Sequence, residues 1–216
     1  MAEIRVPVGE GFVSASSRGD GPTSVVLGHG AGGNRKNPSL VALAEGLADS
    51  GRRAILYNFP YADAGKRVPD PNSTLEAAAQ AVTDYARATG ASRVVLGGRS
   101  MGGRIASQVV AAGTPVEGLV FLAYPLHPPG KPETLRDRHL PQIAAPMLFV
   151  QGTRDAFARP DLLAALLERL GPRASIHRVE DADHSFVVRK SKGRTAADVT
   201  AEVHRVVVDW LDARGL

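Results

Sequence analysis

The 216-residue sequence predicts one α/β domain over residues 1–216: a doubly wound, mostly parallel sheet with helices on both faces, an N-terminal antiparallel hairpin and no cap domain. Three observations carry this. From residue 24 onward, short continuous apolar runs alternate with segments of helical periodicity, as expected for strands buried on both faces between covering helices. Ahead of them, residues 4–8 and 12–16 alternate apolar and polar around Gly9-Glu10-Gly11, the signature of a hairpin. The connection over residues 126–145 is too short to fold as a separate cap.

After the turn Arg18-Gly19-Asp20-Gly21-Pro22, the run Ser24-Val25-Val26-Leu27-Gly28 reads as the first buried strand and leads into His29-Gly30-Ala31-Gly32-Gly33. Asn37-Pro38 supplies a cap and first position for a helix with Leu40, Leu43 and Leu47 on one face, closed by Gly51. Ala54-Ile55-Leu56-Tyr57 is the next strand, and a loop runs on to Pro71. Ser73-Thr74-Leu75-Glu76 has the form of a capping box opening an alanine-rich helix that ends at Gly90. Val94-Val95-Leu96-Gly97 is a strand, and the segment after Ser100 has helical spacing. The runs 119–123, 147–150 and 175–179 complete the strands, and two amphipathic segments carry Leu162, Leu163, Leu166, Leu167 and Leu170, and Val199, Val203, Val207 and Trp210.

Composition narrows the chemistry. There is no cysteine, which removes disulfides, thiolate nucleophiles and cysteine-bound metals and leaves serine as the natural nucleophile. Charge is modest, with 26 basic against 22 acidic residues. The two densest basic groups, Lys131, Arg136 and Arg138, and Arg189, Lys190, Lys192 and Arg194, lack interleaved aromatics and read as solvated faces, not a nucleic-acid platform. No apolar run is long enough to span a membrane. The N-terminus lacks the apolar core of a secretory signal, so the expected location is cytoplasmic.

Gly98-Arg99-Ser100-Met101-Gly102 links a strand to a helix and matches the nucleophile-elbow pattern G-x-S-x-G, in which a tight turn lifts a hydroxyl above the sheet. Reactive groups of such sheets gather in loops beyond the strand carboxyl ends. Three such loops carry Ser100, Asp155 and His184, in that order. A serine hydroxyl needs a base to take its proton as it attacks, and an imidazole can take the proton and return it to the leaving group. A carboxylate on the other ring nitrogen fixes the tautomer. The predicted catalytic set is therefore Ser100, His184 and Asp155; Asp183, adjacent to His184, is expected to anchor its loop. An oxyanion hole is expected from the backbone N–H of Met101 and a second N–H from Ala31 first, or Gly32. One such donor is worth about 3 kcal/mol of barrier.

These motifs, together with Tyr124-Pro125-Leu126-His127-Pro128-Pro129-Gly130-Lys131, Gly152-Thr153-Arg154-Asp155 and Asp183-His184-Ser185-Phe186, resemble the α/β-hydrolase superfamily. The resemblance is to its small, lidless, dienelactone-hydrolase-like group, and most of all to the predicted hydrolases of the testis-expressed protein 30 / KAT8 regulatory complex subunit 3 family. It implies hydrolysis through an acyl-enzyme without a cofactor. Dienelactone hydrolases tend to carry cysteine where this chain has Ser100, which counts against dienelactone itself as substrate.

The expected activity is cleavage of a small or exposed carboxylic ester in an open, shallow pocket. Phe59, Tyr61, Leu126, His127, Phe157 and Phe186 are candidates for contact with a small-molecule substrate. The alternatives are a peptidase or thioesterase with the same triad, and a non-catalytic scaffold binding a protein partner or a small signal. His29, ahead of the glycine turn, reads as a brace for that loop. His139, His177 and His204 have no ligand-spaced partner, so no metal is expected. The sequence carries no indication of oligomeric state.

Overall fold

A computed structural model describes residues 1–216 apart from the side chain of Lys190. Eight strands form one sheet in the order β1-β2-β4-β3-β5-β6-β7-β8. β1 (Ala2–Val8) and β2 (Gly11–Arg18) are the antiparallel hairpin, with Val8 paired to Gly11 across a two-residue turn. β2 pairs antiparallel with β4 (Arg53–Tyr57), and every later pairing is parallel. The parallel strands are β3 (Thr23–Gly28), β4, β5 (Arg93–Arg99), β6 (Gly118–Leu122), β7 (Met147–Gly152) and β8 (Ala174–Val179).

Side-chain alternation along the strands builds two cores. On one face, Leu96, Phe121 and Phe149 pack with Leu75 of α3 (Asn72–Ala88), Ile105 of α4 (Met101–Ala111) and Leu163 of α5 (Pro160–Leu170). On the other, Leu27, Leu56, Val95 and Val120 pack with Leu43 of α1 (Pro38–Asp49) and Val203 and Trp210 of α6 (Ala196–Asp212). A one-turn α2 (Pro60–Asp63) sits in the loop after β4. Over residues 126–145 the only regular element is a 3-10 turn, Leu140–Gln142. Among the described residues, no helix is long and apolar enough to cross a membrane.

The helix ends show local chemistry at work. Asn37 accepts hydrogen bonds from the N–H groups of Ser39 and Leu40, and Pro38 occupies the first helical position of α1. That helix ends at Gly51, which takes φ +78° while Arg52 N–H reaches back to the Leu47 carbonyl. The capping box expected at Ser73–Glu76 is not formed: α3 starts two residues earlier, with Pro71 in the N-cap position, and no side chain caps it. A capping box is present instead on α6, between Thr195 and Asp198.

Two features of the fold bear on the elbow. A Cβ on Gly98 or Gly102 would overlap the Gly28 carbonyl oxygen, so β3, β5 and α4 approach one another as only glycine allows. The loop after β3 is held from below by His29, fully buried, whose Nε2 accepts from Phe59 N–H at 3.1 Å while Nδ1 faces the Gly30 carbonyl at 2.8 Å. The two bonds together require Nδ1 to carry the proton. Burial holds the His29 pKa below its ordinary 6.5.

Substituting Gly102→Ala is expected to lower unfolding free energy by about 1–3 kcal/mol, the usual cost of overpacking, in a denaturant titration. The His29 brace predicts a pH dependence with a definite sign. The unfolded chain binds a proton that the folded chain resists, so this contribution is complete above about pH 6.5 and erodes as pH falls below it. Thermal melts from about pH 7 to about pH 5 should show falling stability, and a shallower fall in His29→Gln. Burial shifts His139 in the same direction, so the slope should shrink without vanishing.

Candidate active site

Ser100 stands between β5 and α4 with φ 51° and ψ −115°, a conformation that residues with a side chain rarely adopt. It is fixed from both sides: its N–H donates to the Leu122 carbonyl at 2.9 Å, and its carbonyl accepts the Arg104 N–H at 3.1 Å. The other non-glycine residues with positive φ, among those described, are Ala123, Asp181 and Phe186. All lie in loops beyond strand carboxyl ends, so the backbone strain is concentrated around this edge of the sheet.

The structure brings Ser100, His184 and Asp155 within hydrogen-bond reach. His184 Nε2 lies 2.8 Å from Ser100 Oγ, and His184 Nδ1 lies 2.7 Å from Asp155 Oδ2. With Nδ1 donating to the carboxylate, Nε2 is left as an acceptor for the serine hydroxyl. The Asp155 side chain has no exposed surface and accepts two further bonds: Gln151 Nε2 to Oδ2 at 2.5 Å, and Phe157 N–H to Oδ1 at 2.7 Å. A carboxylate tied at both oxygens cannot rotate away from the imidazole. The His184 backbone is tied as well, because Arg99 donates to its carbonyl at 3.2 Å. Burial holds the Arg99 pKa below its usual value, with Asp155 and Asp183 opposing the shift.

Asp183 does not compete for the imidazole. Its Oδ1 accepts from the N–H groups of Ser185 and Val187, which fixes the loop around His184. Asp181 faces Lys192 at 2.9 Å, and Arg194 pairs with Glu202, so part of the second basic group is neutralised locally. The side chain of Lys190, in that same group, lies outside the described residues.

On the other side of Ser100, Met101 opens α4, where first-turn N–H groups have no intrahelical acceptor. The Gly30 backbone passes close by: a Cβ there would lie 3.6 Å from Ser100 Cβ. Gly32 N–H is committed to Tyr61 Oη at 3.1 Å and Gly33 N–H to the Gly30 carbonyl at 3.1 Å. Ala31, exposed and next to Gly30, has no bond to its N–H among the described residues. Of the two expected second donors, Ala31 is therefore the uncommitted one.

The expected substrate contacts divide. Phe157 stacks on the His184 ring, centroids 4.1 Å apart, and is half-buried. Phe186 faces a cavity between α1 and α6. The other four require correction. Phe59 and Leu126 have no exposed surface and are part of the core. Tyr61 is 1% exposed, and its hydroxyl serves the loop over residues 29–33 by accepting from Gly32 and donating to the Gly30 carbonyl. His127 is nearly buried with both nitrogens engaged, Nδ1 with the Pro128 carbonyl and Nε2 with Arg159 N–H at the start of α5. These residues surround the site in sequence, but they point inward and hold its loops.

Gln151 is the site residue the sequence reading missed. A glutamine closing the apolar run Met147-Leu148-Phe149-Val150, four residues before Asp155, was the available signal.

Comparison with known proteins agrees with the fold. The profile of the alpha/beta hydrolase domain family matches residues 21–212. Among solved structures, an α/β serine hydrolase homologue from Coxiella burnetii is 20% identical, with 98% of each chain covered and a TM-score of 0.77. A serine hydrolase without a lid from Xanthomonas campestris is 21% identical, covering 97% of this chain and 94% of that one, at a TM-score of 0.75. Dienelactone hydrolase from Anabaena variabilis is 22% identical, covering 98% and 96%, at a TM-score of 0.75. At these identities the neighbours speak for the fold, whereas the family profile spans most of the sequence: the chain belongs to the alpha/beta hydrolase domain family.

Proposed function

We propose that this protein is a serine hydrolase that cleaves a carboxylic ester through an acyl-enzyme intermediate. The observation that carries the reading is the continuous hydrogen-bonded chain from Asp155 through His184 to Ser100, 2.7 and 2.8 Å, on a strained strand-to-helix turn. In this reading Ser100 Oγ attacks the ester carbonyl carbon as His184 Nε2 takes its proton. The negative oxygen of the tetrahedral intermediate is held by the N–H groups of Met101 and Ala31. His184 then gives the proton to the departing alkoxide, leaving Ser100 acylated, and water repeats the sequence to release the acid. Asp155 keeps the imidazole in the working tautomer, and Gln151 keeps Asp155 in place.

Within the family, we assign the chain to the lidless, dienelactone-hydrolase-like group, and nearest to the testis-expressed protein 30 / KAT8 regulatory complex subunit 3 proteins. Supporting this are the motifs around Ser100, Asp155 and His184 and a 126–145 segment without a folded cap. The reading takes residues 1–216 as one cytoplasmic hydrolase domain acting on a small molecule. It takes a carboxylic ester in preference to a thioester or an amide.

Purified protein should turn over p-nitrophenyl acetate. Ser100→Ala and His184→Ala should each lower kcat by about 10⁴-fold or more, and Asp155→Asn by about 10⁴-fold, with folding retained by circular dichroism. Unchanged turnover in Ser100→Ala would overturn the proposal. Among thioester, ester and anilide of one acyl group, the ester should show the highest kcat/KM.

A further inference from the structure

Between α1, α6 and the loop that follows His184 lies a cavity of about 460 Å³. This falls within the range of about 300–1,000 Å³ usual for small-molecule sites. Its walls are mainly apolar, with Leu43 from α1, Leu122 from the end of β6, Phe186 and Val188 from the loop, and Val199 and Val203 from α6. A second cavity, about 80 Å³, lies near Gln151 and Leu163 and is too small for a comparable ligand.

Four polar side chains at the larger cavity already have partners. Arg194 is paired with Glu202, and Thr195 Oγ1 with Asp198. Ser39 Oγ donates to Asn37, and Thr200 Oγ1 to the Ala196 carbonyl. His204 Nε2 is buried without a partner, but it abuts Gly46 of α1, where even a Cβ would overlap the ring. A charged ligand would meet no uncommitted counter-charge in these walls, and desolvating it there would be costly. The chemistry of the cavity selects an uncharged, apolar occupant.

Two wall residues adjoin members of the candidate active site. Ser185 directly follows His184, and the Leu122 carbonyl accepts the Ser100 N–H at 2.9 Å. In ester hydrolysis the imidazole hands its proton to the leaving alkoxide, so the alcohol portion departs on the imidazole side. The cavity lies along the loop that carries that imidazole. We propose that it receives the alcohol portion of the substrate and that this portion is an uncharged aliphatic chain of several carbons. The inference rests on the serine-hydrolase reading above. The step is balanced: the Ser100 Oγ–acyl bond forms as the acyl–alkoxide bond breaks. The alkoxide takes from His184 the proton that Ser100 gave up, and water later divides the acyl-serine into free serine and acid.

The test is kcat/KM for methyl, butyl and hexyl acetate. Each buried methylene is worth about fourfold, so hexyl acetate should exceed methyl acetate by at least about tenfold. Ala42→Phe and Val199→Phe, which narrow the cavity from α1 and from α6, should each bring that ratio to about threefold or less. Cooperative thermal melting shows that a variant is folded, and either folded variant suffices. A flat alcohol series in the wild type overturns the inference, as does a ratio that survives in the folded variants. So does a length dependence found only in the acyl chain of p-nitrophenyl esters. In each case the hydrolase reading stands. Absence of turnover for every ester, with no fluorophosphonate labelling of Ser100, overturns both.

Discussion

The site depends on a backbone turn that would not persist in isolation. Ser100 is held at φ 51° and ψ −115°, a region costing on the order of 1–3 kcal/mol for a residue with a side chain. The surroundings enforce it. The Leu122 carbonyl takes the Ser100 N–H, α4 begins at the next residue, and Gly28, Gly98 and Gly102 let three backbones meet where no Cβ fits. The strained turn aims Oγ outward, and the same turn places the first N–H groups of a helix beside it. One constraint thus supplies both the hydroxyl and one wall of its electrostatic environment.

Around that turn, buried polar groups do the holding. His29 and Tyr61 brace the loop containing Ala31, His127 joins the segment after β6 to the start of α5, and Gln151 holds Asp155. His29, Tyr61 and His127 have their hydrogen-bonding groups met by backbone, so each fixes a loop without facing solvent, whereas Gln151 donates to the Asp155 carboxylate itself. Arg99 adds a link across the site by donating to the His184 carbonyl, which ties the residue beside Ser100 to the loop bearing the imidazole.

Much of this was legible in the sequence because strand patterning and glycine spacing are local signals. The apolar runs marked the parallel strands, and Asn37-Pro38 marked the start of α1 by its capping chemistry. The order of Ser100, Asp155 and His184 placed them after three strand ends, β5, β7 and β8, which lie in one half of the sheet with only β6 between β5 and β7. Side-chain direction in the loops was not legible. Phe59, Tyr61 and Leu126 follow strands that end at the site, yet their rings and branches turn inward, a choice made by packing and not by local sequence. His127, in a proline-rich stretch, was a candidate for substrate contact, but its nitrogens are taken by main-chain groups more than one element apart. The cavity between α1 and α6 was hidden for the same reason, since its walls come from two helices and a loop distant in sequence. Ser73–Glu76 had the letters of a capping box, but Pro71 started the helix first.

The central claim is that Ser100, activated by His184, becomes covalently acylated. Its most direct test is acid-quenched reaction with p-nitrophenyl acetate, followed by peptide mapping by mass spectrometry. The account predicts one acetyl group per protein on the peptide containing Ser100, removed on further incubation and never formed in His184→Ala. Ester turnover with no acetyl group on Ser100, or an acetyl group on another residue that forms at the same rate without His184, would contradict it.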